Sequence, residues 1–116
     1  ADKLKKTDMD VFTCYYGGAR HIKELAVLSQ FKPVIVPAGL PMVKGSRAIA
    51  GIGLHTYNLG LQGANLAGKV LAGKSAGSLP VERPKRFELS VHLGSAENLG
   101  IDIPLEVIGA ADNIAR

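Results

Sequence analysis

The chain has no tryptophan, one cysteine, few aromatic residues and no long hydrophobic run. Each of these absences excludes something. A single cysteine, Cys14, rules out an internal disulfide, although exported proteins without disulfides are common enough that the compartment stays open. No apolar stretch approaches the ~20 residues needed to span a bilayer as a helix. Few aromatics beside 14 glycines suit strand-to-helix turns and close packing better than a base-stacking surface. The net charge of +4 is modest, and its lysines and arginines (Lys3, Lys5, Lys6, Lys85, Arg86) are scattered as on solvated faces, so no nucleic-acid partner is expected. No signal peptide is visible. The sequence opens at Ala1 inside a charged, helical-looking stretch, as a mature or excised chain would, so that absence says nothing about export.

Catalytic signatures are missing too. There is no G-x-S-x-G, no P-loop and no complete G-x-G-x-x-G. His21, His55 and His92 fall on three different predicted elements, with no carboxylate at metal-ligand spacing. Cys14 sits within an apolar run, where a cysteine acts as a small hydrophobe. No catalytic residue, metal site or cofactor is therefore expected, and the chain reads as a binding protein rather than an enzyme.

What is present is an α/β pattern. Val11–Tyr16 is a short apolar run ending at Gly17-Gly18, and Ala19–Gln30 is helical, with Ile22, Leu25, Ala26 and Ser29 on one side. Lys32–Ala38 is a second apolar run, stopped by Gly39 and Pro41. Two such strands with a crossover-length link predict a parallel pair. Ala48–Leu54 is a third candidate strand, which its glycines should weaken or bend. Residues 57–72 form the longest helix, stopped by Gly73. Its apolar stripe (Tyr57, Leu61, Ala64, Gly68, Leu71) is expected to be buried, and its polar stripe (Asn58, Gln62, Asn65, Lys69) exposed. After a polar loop over 73–84, alternation from Phe87 to Leu93 predicts a strand with one wet face. A short helix over Ser95–Leu99 and a helical turn or two near Pro104 close the chain.

Two turns are candidate ligand contacts. Tyr15, Tyr16, Gly17 and Gly18 stand where a buried strand is expected to hand over to a helix, a place where main-chain N–H groups suit a carboxylate or phosphate. Gly39 and Leu40 follow the neighbouring strand, and ligands of open α/β sheets sit beyond the carboxyl ends of the strands. Ordinary tight turns with packing tyrosines are the alternative in both places.

From the long helix onward the sequence resembles the C-terminal part of the ABC-transporter substrate-binding proteins of the tryptophan/tyrosine-type family. The resemblance is carried by Tyr57–Gly60 at the helix opening, Leu71–Lys74 at its close, Pro80–Glu82, the strand Phe87–Leu93, and Ala96–Pro104 with its L-G-I-x-I-P ending. Ala111-Asp112 fits the family's ending, and Met9–Tyr16, Lys32–Val36 and Val43–Gly45 follow in the expected order. The family implies a class I periplasmic-binding fold: two α/β lobes, each a parallel three-layer sheet, joined by a hinge. By that resemblance residues 1–53 belong to the second lobe. Residues 54–84 form a hinge crossover and a helix packing on the first lobe, and 85–116 form the return strand and helical tail. The first lobe is mostly absent. Its absence would leave the helix 57–72 with apolar surface exposed, open to self-association.

The function implied is the binding component of an ABC importer, holding a small solute between the lobes. Its partners would be the solute, an ABC permease and the N-terminal lobe of the same protein. Its location would be periplasmic or otherwise extracytoplasmic, with a lipid anchor one form it can take. Family members often carry an aspartate after the strand matching Val11–Tyr16 and an acid before the helix-opening tyrosine. This chain has Tyr16-Gly17-Gly18 and His55-Thr56 there, so an amino acid and another carboxylate-bearing molecule are equally admissible solutes. His55 joins the candidate ligand contacts on this basis. A sensory or regulatory module on the same fold, and a fragment of a flavodoxin-like enzyme, are the competing readings.

Overall fold

Short apolar runs, each followed by glycine or proline, build the first half of a five-stranded sheet. A computed structural model describes residue 8, residues 10–14 and residues 20–116. In chain order the elements are β1 (Phe12–Thr13), α1 (Ile22–Leu28), β2 (Val34–Val36), α2 (Leu40–Ser46), β3 (Ala50–Leu54), α3 (Thr56–Leu71), β4 (Phe87–His92), α4 (Leu93–Asn98), α5 (Leu105–Ala110) and β5 (Asn113–Ala115). The strands lie in the order β1-β2-β3-β4-β5.

β1 and β2 pair in parallel, with Phe12 opposite Val34, as the two apolar runs and their crossover predicted. β2 and β3 are also parallel, with Ile35 opposite Ala50. Then the direction reverses. His92 N–H donates to the Ile49 carbonyl at 2.9 Å, and His55 N–H donates to the Arg86 carbonyl at 3.3 Å. Residue numbers rise on one strand as they fall on the other, so β4 runs antiparallel to β3. β5 is parallel to β4, with Val91 opposite Ile114. The sheet is thus mixed and mostly parallel, the expected fold class with one reversed segment.

The chain divides into two compact units, residues 1–53 with 88–116, and residues 54–87. The first unit holds the core: Leu25 and Leu28 of α1, Val34 and Val36 of β2, Val43 of α2, and Ala48. Phe12, Cys14, Ala38 and Met42 pack against this cluster. Cys14 is therefore a half-buried core neighbour, in keeping with its apolar surroundings.

Several expectations are corrected here. Gly39 and Pro41 do not merely stop a strand; they start α2. Proline in the first helical turn gives up an N–H that would have no helical partner anyway. The glycines of β3 also have a packing role. A Cβ at Gly51 would run into the Ala38 carbonyl, and one at Gly53 would lie 2.5 Å from Gly39 N, so both glycines let β3 close on the end of β2. β4 has no wet face over its last half: Ser90, Val91 and His92 are all buried. It is an interior strand, and its polar side chains are hydrogen-bonded instead of solvated. β5 was not anticipated. Asp112 introduces it by accepting from Leu89 N–H at 2.9 Å and donating its own N–H to the Leu89 carbonyl.

The second unit is α3 and the loop that follows it, including a 3-10 turn at Ala76–Ser78. α3 ends as expected, with Gly73 at φ +93° donating to the Val70 carbonyl. Its apolar stripe is not buried. Tyr57 is 71% exposed, Leu61 48% and Leu71 88%, and no residue of α3 is buried. On the polar stripe Asn65 and Lys69 are exposed, but Asn58 and Gln62 are half-buried. Gln62 is drawn in because it stitches the loop to the helix. Its Nε2 donates to Glu82 Oε2 at 3.0 Å and to the Arg83 carbonyl at 3.2 Å, and its Oε1 accepts from Lys85 N–H at 3.1 Å. That hydrogen bond and the nearby Lys85 ammonium hold the Glu82 carboxyl below its ordinary value.

Candidate functional site

The parallel strands β1–β3 end on the same edge of the sheet, and the sequence places its candidate turns after the first two of them. Tyr15, Tyr16, Gly17 and Gly18 lie outside the described residues. Gly39 and Leu40 follow β2. Gly39 is the N-cap of α2 in an extended conformation (φ −78°, ψ −169°), and its carbonyl accepts from Met42 and Val43 N–H. Leu40 opens α2 and is half-buried.

The sequence reading missed Glu88. Its carboxylate lies against Gly39, with Oε2 3.6 Å from where a Gly39 Cβ would be. Because β4 runs antiparallel, its first residues reach the edge where β2 and β3 end. Glu88 is half-buried, and its Oε1 accepts from Asn113 Nδ2 on β5. Asn113 Nδ2 also reaches Ser90 Oγ at 3.4 Å. A half-buried carboxylate held by one amide retains acceptor capacity on its other oxygen and favours a cation nearby. The sequence signal was an acid at the start of a predicted strand. Its nearness to Gly39, 49 positions earlier in the chain, is a product of sheet order alone.

His55 belongs to the other unit. It is the N-cap of α3, and its Nδ1 accepts from Asn58 N–H at 3.4 Å. That contact uses one imidazole nitrogen structurally and leaves the other for a further partner. His21 is exposed and 4.0 Å from Glu24. His92 is buried at the end of β4, where its Nδ1 accepts from Ser95 N–H at 3.2 Å. Burial first, then the positive charges of Arg47 and Lys44, holds its imidazole below the ordinary value. Among the described residues no three His, Cys, Asp or Glu side chains converge as metal ligands, and no helix is long and apolar enough to cross a membrane.

Residues 13–115 match the model of a family described as ABC transporter substrate binding protein. No curated protein matches the chain. Among solved structures, a conserved domain protein from Vibrio cholerae O1 biovar eltor is 29% identical, with a TM-score of 0.73 over 97% of this chain and 38% of its own. An ABC domain in complex with L-Trp from Streptococcus pneumonia is 19% identical, with a TM-score of 0.75 over 97% of this chain and 40% of its own. A ligand-free, open substrate binding protein with adhesive properties from Clostridium difficile is 21% identical, with a TM-score of 0.70 over 98% of this chain and 37% of its own. The chain thus spans about two fifths of the length of each. The last two likenesses concern the fold; the family match covers nearly all of the sequence, and by it the chain belongs to the ABC transporter substrate binding proteins.

Proposed function

We propose that this chain supplies one wall of the solute site in the binding component of an ABC importer, and that the solute is an amino acid or another small carboxylate-bearing molecule held between two lobes. In this reading residues 1–53 and the return strand belong to the second lobe. Residues 54–84 cross the hinge and carry α3 to the first lobe, against which its apolar face rests. Tyr15, Tyr16, Gly17, Gly18, Gly39, Leu40 and His55 contribute to the site. Closure of the lobes on the solute presents the form recognised by the permease, outside the cytoplasm.

The observation that carries this reading is Glu88 beside Gly39 at the carboxyl end of β2. The family's solute-binding character calls for polar groups at such an edge. A carboxylate there is suited to an ammonium, which favours an amino acid over a simple organic acid. The L-Trp bound by the pneumococcal relative is consistent with that class of solute.

Calorimetry against the common amino acids, their N-acetylated forms and small organic acids tests the assignment, using the chain joined to its first lobe. Free amino acids should bind. Glu88→Gln and N-acetylation should each weaken binding by roughly tenfold or more, the loss of one charge-assisted hydrogen bond. Equal affinity for acetylated and free forms would remove Glu88 from the site.

A further inference from the structure

Gly39 stands against a carboxylate although its backbone does not require glycine. Its φ of −78° and ψ of −169° are open to any residue, and serine, aspartate and asparagine serve at least as well at the N-cap it occupies. The nearest atoms that a Cβ on Gly39 would meet are those of the Glu88 carboxylate, Oε2 at 3.6 Å and Cδ and Oε1 at 3.7 Å, which is ordinary contact. Gly51 and Gly53 differ, because their Cβ atoms would run into main-chain atoms of Ala38 and Gly39. Packing thus explains glycine at 51 and 53 and does not explain it at 39. What the missing side chain leaves is space over one face of the Glu88 carboxylate.

The carboxylate is also held from the side. Ser90 pairs with Asn113 in the parallel register of β4 and β5, and Glu88 lies two residues before Ser90, so the three side chains share one face of the sheet. Asn113 Nδ2 donates to Glu88 Oε1 and reaches the buried Ser90 Oγ at 3.4 Å. Asparagine is depleted in strands, so local preference does not account for it in β5. An ionised carboxylate only accepts hydrogen bonds, and an amide donates to it without adding charge. Among the described residues no group donates to Oε2. Glu88 therefore has one oxygen fixed and the other open to a ligand.

We propose, resting on the reading of Glu88 as the ammonium partner, that Gly39 and Asn113 determine the preference of the solute wall for an ammonium group. Asn113 is a positioning residue that fixes Glu88 through Oε1. Gly39 keeps clear the space beside the carboxylate that a solute needs in order to bring its ammonium to Oε2.

Calorimetry with the common L-amino acids and their N-acetylated forms, on the chain joined to its first lobe, tests both residues, with urea unfolding of each variant beside it. Gly39→Ala should weaken binding of the free amino acids by roughly tenfold or more. Its unfolding midpoint should stay at or above the parent's, since the methyl fits and restricts the unfolded chain. Asn113→Ala should weaken binding by roughly tenfold as well, and narrow the preference for free over acetylated forms. It should act through Glu88, so in a Glu88→Gln background the same substitution should change affinity by less than about twofold. A role in folding alone would not make the loss depend on Glu88. Parental affinity in either variant, a lowered midpoint in Gly39→Ala, or an equal Asn113→Ala loss in both backgrounds would overturn the proposal. If Glu88→Gln itself binds like the parent, the reading of the wall fails and this proposal with it. A weakened Glu88→Gln beside parental affinity in Gly39→Ala and Asn113→Ala would overturn the proposal alone.

Discussion

Replacing Gly53 by alanine should destabilise the first unit, although the substitution is small and lies in a strand that generally prefers any side chain to none. A Cβ there would lie 2.5 Å from Gly39 N, 2.9 Å from Ala38 C and 3.1 Å from Gly39 Cα. These are main-chain atoms, so no rotamer change relieves the contact; β3 must move off the end of β2. Two effects compete. Fewer unfolded conformations stabilise the alanine variant by about 0.4–1 kcal/mol. Forcing an extra methyl into a closed space costs about 1–3 kcal/mol. The steric effect should win, for a net loss on the order of 1–2 kcal/mol, read as a melting temperature lowered by roughly 2–8 °C per kcal/mol. Gly60→Ala is the control. It lies mid-helix in α3 with nothing within 4 Å of the new methyl, and should stabilise its unit by about 0.5–1 kcal/mol. Urea and thermal unfolding followed by circular dichroism measure both. If Gly53→Ala melts at or above the parent temperature, the close approach of β3 to Gly39 is not as described.

Three further outcomes are expected. Ser46→Ala should cost about 1–3 kcal/mol in urea unfolding, because Ser46 Oγ donates to the Met42 carbonyl at 2.7 Å and accepts from the buried Ala48 N–H at 3.3 Å, which the variant leaves unpaired; a change within experimental error would refute that role. His92 should make stability depend on pH. Burial, Arg47 and Lys44 lower its folded pKa, with Glu97 and Arg116 sharing its recess, so below about pH 6.5 the unfolded chain binds more protons. Stability should therefore rise with pH from the folded pKa to about 6.5 and then level off, and His92→Asn should flatten the slope while still capping Ser95 N–H; an unchanged slope in that variant would assign the dependence elsewhere. Leu28→Ala should cost about 2–5 kcal/mol, since Leu28 is among the largest fully buried side chains of the core.

The parts of the fold that were legible in the sequence are those in which local pattern and tertiary setting agree. The run VFTCYY yields a strand at Phe12–Thr13 and the run KPVIVPA one at Val34–Val36, and in the second the apolar character matches the full burial of Val34 and Val36. α3 is long enough to be read as a helix and its Gly73 stop holds, although the apolar stripe expected to be buried is exposed. α2 was hidden because seven residues, LPMVKGS, are too few to display a period, and Gly-Leu-Pro reads equally as a turn or a helix start. β5 is three residues long and takes its strand conformation from pairing with β4. Alternation at 87–93 was read correctly as a strand but wrongly as a half-wet one, because Ser90, Val91 and His92 are all buried and what covers a sheet face is set by tertiary packing, not by local pattern. The same holds for the candidate site. Gly39 and Leu40 could be placed after a strand from local signals, whereas Glu88 came into view only once β4 was found to run backwards beside β3.

The central claim is that the carboxyl edge of this sheet is one wall of a two-lobed solute site. The most direct measurement is an amide chemical-shift titration of the 116-residue chain with free amino acids, paired with calorimetry on the same samples. A site with one wall lacks about half its contacts, and each ~1.4 kcal/mol lost is tenfold in affinity. The account predicts weak binding, with shifts confined to Gly39, Leu40, Glu88 and Asn113. Tight one-to-one binding by the chain alone, or shifts that avoid these residues, would contradict it.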